Sequence, residues 1–304
     1  MSAAPRVSIV LATHDQARWL PATLASIQAQ TLGEWELLLV NDGSTDDTAA
    51  IAARATADPR VRDLPTPHRE RCAARNHGIA AGSGDLVAFI DGDDLWQPEK
   101  LERQVARLEA TPDAALCYTV ARYVDADGRP LPIRRPTVPV EGAIFPALVR
   151  ANRMILSSVV VRRTVLDRVG GFDETLPALG CEDWDLWLRI ARHHAVTLVP
   201  DELTAYRVHA ANTPHAAVLA SGVAVVRKLY RDPDVLGAAR LSEAGALASL
   251  HWYHASAARA GGRGPALRLA GRAFASAPGS LLTRPALGAL ARIVLPRAAH
   301  RLLP

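Results

Sequence analysis

Three aspartates crowd the end of one apolar run. In LVAFIDGDDLW, residues 86–96, five strand-like positions lead straight into Asp91, Asp93 and Asp94, with one glycine between the first two. Like charges this close repel, so the cluster needs something positive beside it. An EF-hand loop is excluded, because Leu95 and Trp96 stand where such a loop needs its third oxygen ligand and its glycine. A glycosidase pair would place its carboxyls on separate elements about 5–10 Å apart. A charged turn is the plain alternative. Two aspartates one residue apart at a strand end suit a single hard cation better. Mg²⁺ or Mn²⁺ prefers oxygen and shares its shell with water and substrate phosphates.

The elements that must position these carboxylates follow an alternating pattern. VSIVLA (7–12), WELLLV (35–40) and LVAFI (86–90) read as buried parallel strands, with a short strand near 61–64. Helical spacing falls in QARWLPATLASIQAQT, in NDGSTDDTAAIAARA with Ser and Asp suited to an N-cap, over about 70–82, and in QPEKLERQVARLEA. Alternation of this kind predicts an α/β fold with a mostly parallel sheet covered by helices on both faces. In such sheets ligands bind beyond the carboxyl ends of the strands. THD (13–15), NDGSTDD (41–47) and DGDD (91–94) should therefore converge on one edge.

Beyond residue 112 the regularity loosens. ALCYTVARYV and ILSSVVVRR are strand-like, RPLPIRRPTVPVEG is a loop, CEDWDLWLRIARHH an amphipathic helix and VTLVP a further strand. From 216 onward an Ala-, Leu- and Arg-rich stretch reads as a helical appendage. The expected division is 1–215 and 216–304.

The ordered set VSIVLATHD, LLLVNDGSTDDT, AARNHGIAAGSGDLVAFIDGDD, VGGFDE, CEDWDLWLR and YRVHAAN, spanning about 6–213, resembles family 2 glycosyltransferases with the Rossmann-like GT-A fold. Ala12 and His14 depart from the Pro and Tyr frequent there. The resemblance implies that Thr13, Asp15 and Asp42 line a nucleoside pocket, with Asp42 accepting from base or ribose. Alternatives are a turn role for Asp42 and a helix cap for Asp15. It also places Arg75 and Asn76 near the donor, and Arg75 could equally pair with Asp91 or Asp93. Asp91 and Asp93 match the metal-binding Asp-x-Asp pair, Asp93 as the direct ligand. Arg207 matches a donor contact, and His209 a metal ligand or phosphate contact. A lone histidine is as often structural. Asp183 is implied as the general base and Glu182 as its support, although acids also favour a helix N-terminus on their own account. Adjacent on a helix, the two point about 100° apart.

The implied reaction is inverting transfer of a sugar from a nucleotide diphosphate sugar, first of all a UDP-sugar, to a saccharide or lipid-linked acceptor, with Mn²⁺ or Mg²⁺. A non-catalytic nucleotide-sugar-binding or assembly protein is the alternative. NAD chemistry is disfavoured, since no G-x-G-x-x-G follows a strand.

Composition agrees with a soluble globular chain, at 49% hydrophobic and 22% charged residues. Three scattered cysteines and no evident signal segment lead to the expectation of a cytoplasmic protein. The net charge of +4 conceals an asymmetry: residues 244–304 hold eight arginines and no acid. That basic segment leads to the expectation of peripheral contact with the inner face of a membrane. Nucleic acid is disfavoured because aromatic residues are sparse among the arginines.

Overall fold

The apolar runs at 7–13 and 35–41 bury both faces, and each becomes a central strand. A computed structural model describes residues 4–133, 138–176, 180–258 and 263–282, with five further positions between 286 and 293. The strands are β1 (Val7–Thr13), β2 (Trp35–Asn41), β3 (Val61–Asp63), β4 (Leu86–Asp91), β5 (Leu95–Trp96), β6 (Ala114–Val124), β7 (Pro130–Leu131), β8 (Val159–Arg162) and β9 (Ala195–Arg207). The helices are α1 (Leu20–Gln28), α2 (Thr48–Ala55), α3 (Glu70–Ala81), α4 (Lys100–Ala110), α5 (Phe145–Leu148), α6 (Arg163–Val169), α7 (Glu182–Ala191), α8 (His215–Leu229), α9 (Val235–Ala239), α10 (Glu243–Ala258) and α11 (Arg263–Ser276).

The sheet runs β3-β2-β1-β4-β8-β6-β9-β5, with β7 paired to β6. β1 is parallel to β2 and β4, β2 to β3, and β6 to β9, while β8 lies antiparallel between β4 and β6. This is the mixed, mostly parallel α/β sheet that the alternation predicts.

Alternation along the strands divides the core. Val7, Ile9 and Leu11 face Leu20, Leu24 and Ile27 of α1 and Leu101, Val105 and Leu108 of α4 on one side. Val10, Val87 and Phe89 face Cys72 of α3 and Trp184 and Trp187 of α7 on the other. Helix α3 lies so close to the sheet that a Cβ on Gly78 would stand 2.7 Å from Val10 Cγ1. Only glycine fits there.

Leu219, Val225 and Val226 of α8 belong to the same core as α7, so the core continues past residue 215. α10 and α11 pack together around Trp252, Ala255, Ala266, Ala270 and Ala273. No described helix is long and apolar enough to cross a membrane. Of the eight arginines in 244–304, Arg268 and Arg272 have described side chains and Arg263 begins α11; the other five fall outside the described residues, as do positions 134–137 of the Pro-rich loop.

Candidate active site

The C-terminal ends of β1, β2 and β4 meet around one cavity of about 410 Å³, lined by Thr13, His14, Asp42, His68, Arg71, Arg75, Asp91, Asp93, Asn212 and Thr213 among others. Parallel register brings them there: Ala12 pairs with Asp91, and Thr13 with Asn41. The three segments expected at one edge are at that edge.

Asp42 is almost fully buried. Its Oδ1 accepts from Thr66 Oγ1 at 2.9 Å and from the Arg69 amide at 2.8 Å, and its Oδ2 lies 3.2 Å from His68 Nδ1. Its backbone oxygen accepts from Nδ1 of both His14, at 2.8 Å, and His68, at 3.1 Å. The two imidazoles lie 4.4 Å apart. The bond to the Asp42 carbonyl, aided by the Asp42 and Glu70 charges, holds the His68 imidazolium above its ordinary range.

At the next strand end Arg75 bridges two carboxylates. Its Nη2 donates to Asp91 Oδ1 at 2.8 Å and its Nη1 to Glu182 Oε1 at 2.9 Å. Burial, the largest influence, favours losing the Arg75 proton, but the Asp91 and Glu182 charges outweigh it and hold the guanidinium above its usual range. For Glu182, burial pushes the carboxyl up, yet Arg75 and Arg71 bring it below the ordinary value. Glu182 also accepts from the Gly180 amide at 2.9 Å.

The DGDD turn is held from behind. Asp94, wholly buried, accepts from Ser157 Oγ at 2.5 Å and from the Arg207 amide at 2.9 Å. Burial, then the neighbouring Asp93 and Asp91 charges, raises its carboxyl well above the ordinary range. Burial and the Asp91 charge likewise raise Asp93, with His209 opposing. A Cβ on Gly92 would meet Gln16 Oε1 at 2.3 Å and Thr13 Oγ1 at 2.9 Å, so a side chain there would have to displace both of these cavity-lining groups.

Several residues stand elsewhere than expected. Arg207 does not line the cavity; its guanidinium donates to the carbonyls of Asp93 at 2.6 Å, Ala126 at 3.0 Å and Asp125 at 3.4 Å. It fixes the turn rather than facing a donor. Asn76 clamps Phe172, donating to its carbonyl at 2.9 Å and accepting from its amide at 2.8 Å, away from the cavity. Asp15, at φ +50°, caps no helix of its own. It accepts from the Thr45 amide at 2.7 Å, and so ties the first loop to the second. Asp183 lies outside the cavity lining, with Asn152 Nδ2 3.2 Å from Oδ2. Glu182 and Asp183 face different partners.

The cation question turns on proton positions. Asp91 and Asp93 both line the cavity, with one oxygen of each engaged by Arg75 and His209 respectively. Their hard carboxylate oxygens fit Mn²⁺ or Mg²⁺, whose remaining ligands are ordinarily phosphate and water. His209 does not fit in this arrangement. The Ala211 amide donates to Nδ1 at 3.2 Å, so the proton sits on Nε2 and is directed to Asp93 Oδ2 at 2.8 Å. Trp19 stacks on the ring at 3.8 Å and fixes it. Among the described residues no three or more His, Cys, Asp or Glu side chains form a metal cluster.

His68, Arg71, Thr66 and Asn152 are absent from the sequence expectations. The dense TPHRER at 66–71, just ahead of AARN, was the available signal for the first three. Nothing in the sequence marks Asn152.

The curled, mostly parallel sheet and its edge cavity define the GT-A class of α/β protein. A sequence model described as glycosyl transferase family 2 matches residues 8–168. The putative glycosyltransferase EpsE of Bacillus subtilis (strain 168) is 31% identical over 192 residues, 62% of this chain and 68% of that one. The O-antigen biosynthesis protein RfbC of Myxococcus xanthus is 34% identical over 196 residues, 63% of this chain but only 15% of that protein. Among solved structures, S. aureus TarS 1–349 in complex with UDP-GlcNAc superposes with a TM-score of 0.65 at 16% identity, covering 98% of this chain and 90% of that fragment. Mannosyltransferase PcManGT from Pyrobaculum calidifontis, in complex with GDP-Man and Mn²⁺, gives 0.62 at 21% identity, covering 99% and 88%. The chain belongs to glycosyl transferase family 2.

Proposed function

We propose that this glycosyltransferase moves a sugar, with inversion, from a nucleotide diphosphate sugar, first of all a UDP-sugar, to a hydroxyl of a saccharide or lipid-linked acceptor. We assign it to cell-envelope or surface polysaccharide synthesis at the inner face of the membrane. The observation that carries the reading is the single cavity lined by Asp42, Arg71, Arg75, Asp91 and Asp93. It joins an acceptor for base or ribose donors, forked cations for phosphate oxygens, and two carboxylates for a cation. The ligands of TarS and PcManGT, and the M. xanthus relative's being an O-antigen biosynthesis protein, support donor and setting.

In this reading Thr13 and Asp42 hold the nucleoside, and Asp15 holds the loop that carries them. Arg71 and Arg75 bind the diphosphate, for which the guanidinium fork is suited. Asp93, with Asp91, would hold Mn²⁺ or Mg²⁺, which neutralises charge on the departing diphosphate. His209 keeps the Asp93 carboxylate oriented, Arg207 and Asp94 keep the turn shaped, and Asn76 secures the segment at Phe172.

Asp183 takes the acceptor proton. The acceptor oxygen bonds to the anomeric carbon from one side while the carbon–oxygen bond to the diphosphate breaks on the other, so configuration inverts. Glu182 holds Arg75 in place rather than taking a proton itself.

The test is Asp183→Asn. Transfer should fall on the order of 10²–10⁴-fold, the usual worth of a general base, with nucleotide affinity by calorimetry little changed. Near-wild-type turnover would remove the base assignment. A panel of nucleotide sugars read by thermal stabilisation with Mn²⁺ identifies the donor, because a ligand of the folded state raises stability with the logarithm of its concentration over Kd.

A further inference from the structure

Helix α11 has two apolar faces. One is buried: Ala266, Ala270 and Ala273 pack with Trp252 and Ala255 of α10. The other is exposed, with Leu267 at 51% and Phe274 at 45% exposure. These two lie seven residues apart, with exposed Gly271 between them, so they form one stripe along the helix. Arg268 and Arg272, also exposed, run four residues apart in the adjoining row. No acid follows Glu243 in the sequence to neutralise them.

Burial does not explain the outer stripe, and water solvates it poorly. A large aliphatic and an aromatic side chain half out of the protein, flanked on one side by permanent cations, match the pattern of a helix lying in a membrane interface. Its apolar stripe enters the acyl boundary while the arginines reach anionic headgroups. A nucleic acid would satisfy the arginines but offers little to Leu267, and the stripe supplies only one aromatic ring for base stacking.

We propose that the outer face of α11, through Leu267, Phe274, Arg268 and Arg272, docks the protein onto an anionic bilayer surface. The proposal narrows the membrane setting of the proposed function to one helix face. Its test does not depend on sugar transfer, so the two can fail separately.

The experiment is flotation of the full chain with phosphatidylcholine vesicles containing or lacking phosphatidylglycerol. Wild type should float with the anionic vesicles, weakly with the neutral ones, and less in high salt. Arg268→Gln with Arg272→Gln should weaken anionic binding roughly thirtyfold, as expected for two basic side chains near a charged surface. Leu267→Ser with Phe274→Ser should weaken binding to both vesicle types. All four side chains are exposed, so melting temperature and the thermal shift produced by UDP with Mn²⁺ should match wild type; they control for folding. The proposal is overturned if wild type stays with the unbound fraction, if both double variants float as wild type does, or if binding ignores phosphatidylglycerol. It is overturned too if the apolar double variant only turns a dimer into a monomer by light scattering. The stripe would then belong to a second copy.

Discussion

Arg75 and Glu182 form a buried ion pair, Nη1 to Oε1 at 2.9 Å, with 6% and 4% of their side chains exposed. The same guanidinium reaches Asp91 at 2.8 Å, so the first turn of α7 is tied through α3 to the end of β4. The proposed proton acceptor, Asp183, is the next residue along that turn. A shift of Arg75 therefore moves both the donor carboxylates and the base.

Removing one partner of a buried pair leaves an uncompensated charge. Arg75→Ala should lower unfolding stability by about 3–5 kcal/mol, visible as a large fall in melting temperature. Glu182→Gln keeps a hydrogen-bond acceptor and should cost less. In a double-mutant cycle the two changes should be strongly non-additive; simple additivity would deny the coupling.

Asp93 and His209 can be separated. Asp93→Ala should abolish the Mn²⁺-dependent part of nucleotide binding by calorimetry. His209→Gln retains an N–H to direct at Asp93, so Mn²⁺-dependent affinity should stay within a few-fold of wild type. An equally severe His209→Gln defect would make His209 a ligand, against the proton placement set by the Ala211 amide.

Gly78→Ala introduces a Cβ 2.7 Å from Val10 Cγ1 and 3.2 Å from Val40 Cγ2. Overpacking of this kind costs roughly 1–3 kcal/mol, and the better helix propensity of alanine returns at most about 1 kcal/mol. Chemical denaturation should show a net loss. Adding Val10→Ala should recover part of it, since the obstructing methyl is then gone.

The α8–α10 contact should be acid-sensitive. His254 Nδ1 lies 2.9 Å from His215 Nε2, and burial, then the His215 and His251 charges, lowers the His254 pKa to about 3. Between the unfolded value near 6.5 and about 3, the unfolded chain binds a proton that the folded chain refuses. Stability therefore falls as pH falls across that window, at up to about 1.4 kcal/mol per pH unit. Tyr253 packs edge-on against the His254 ring. His254→Gln should flatten the melting temperature between about pH 6.5 and 4; an unchanged slope would assign the acid sensitivity to other groups.

The parallel half of the sheet was legible because both-face burial writes itself as unbroken apolar runs, and β1, β2 and β4 start and stop close to where those runs do. β9 was not. VTLVP is only its beginning, and it continues to Arg207 because β6 pairs with it on both sides of an irregularity, Thr119 with Val199 and Val120 with Glu202, leaving Pro200 and Asp201 unpaired with β6 between them. Tertiary pairing there overrides a sequence that reads as a turn. Ser157, read as part of a strand, sits instead in a 3₁₀ turn, where its hydroxyl can meet Asp94.

The site divides the same way. Asp42, Asp91 and Asp93 follow from strand ends. Arg207 and Asn76 were read toward a donor, yet each serves backbone carbonyls that no linear pattern announces. Of the Ser and Asp residues suited to an N-cap ahead of α2, Asp47 takes the cap position without a side-chain cap bond, and Asp46 accepts from the Thr48 amide at 2.9 Å. Helical and strand periods report burial; they carry no record of which carbonyl lacks a donor.

The latch that Arg207 places on Asp93 and Asp94 spans 113 residues for its backbone bond. During synthesis at roughly 5–20 residues per second, that separation lasts roughly 6–23 s. Through that interval a nascent chain carries the three aspartates without the amide and guanidinium that shape their turn. The protein therefore acquires its charge-dense edge early and the restraint on it late, so the turn cannot take its final shape until Arg207 has been made.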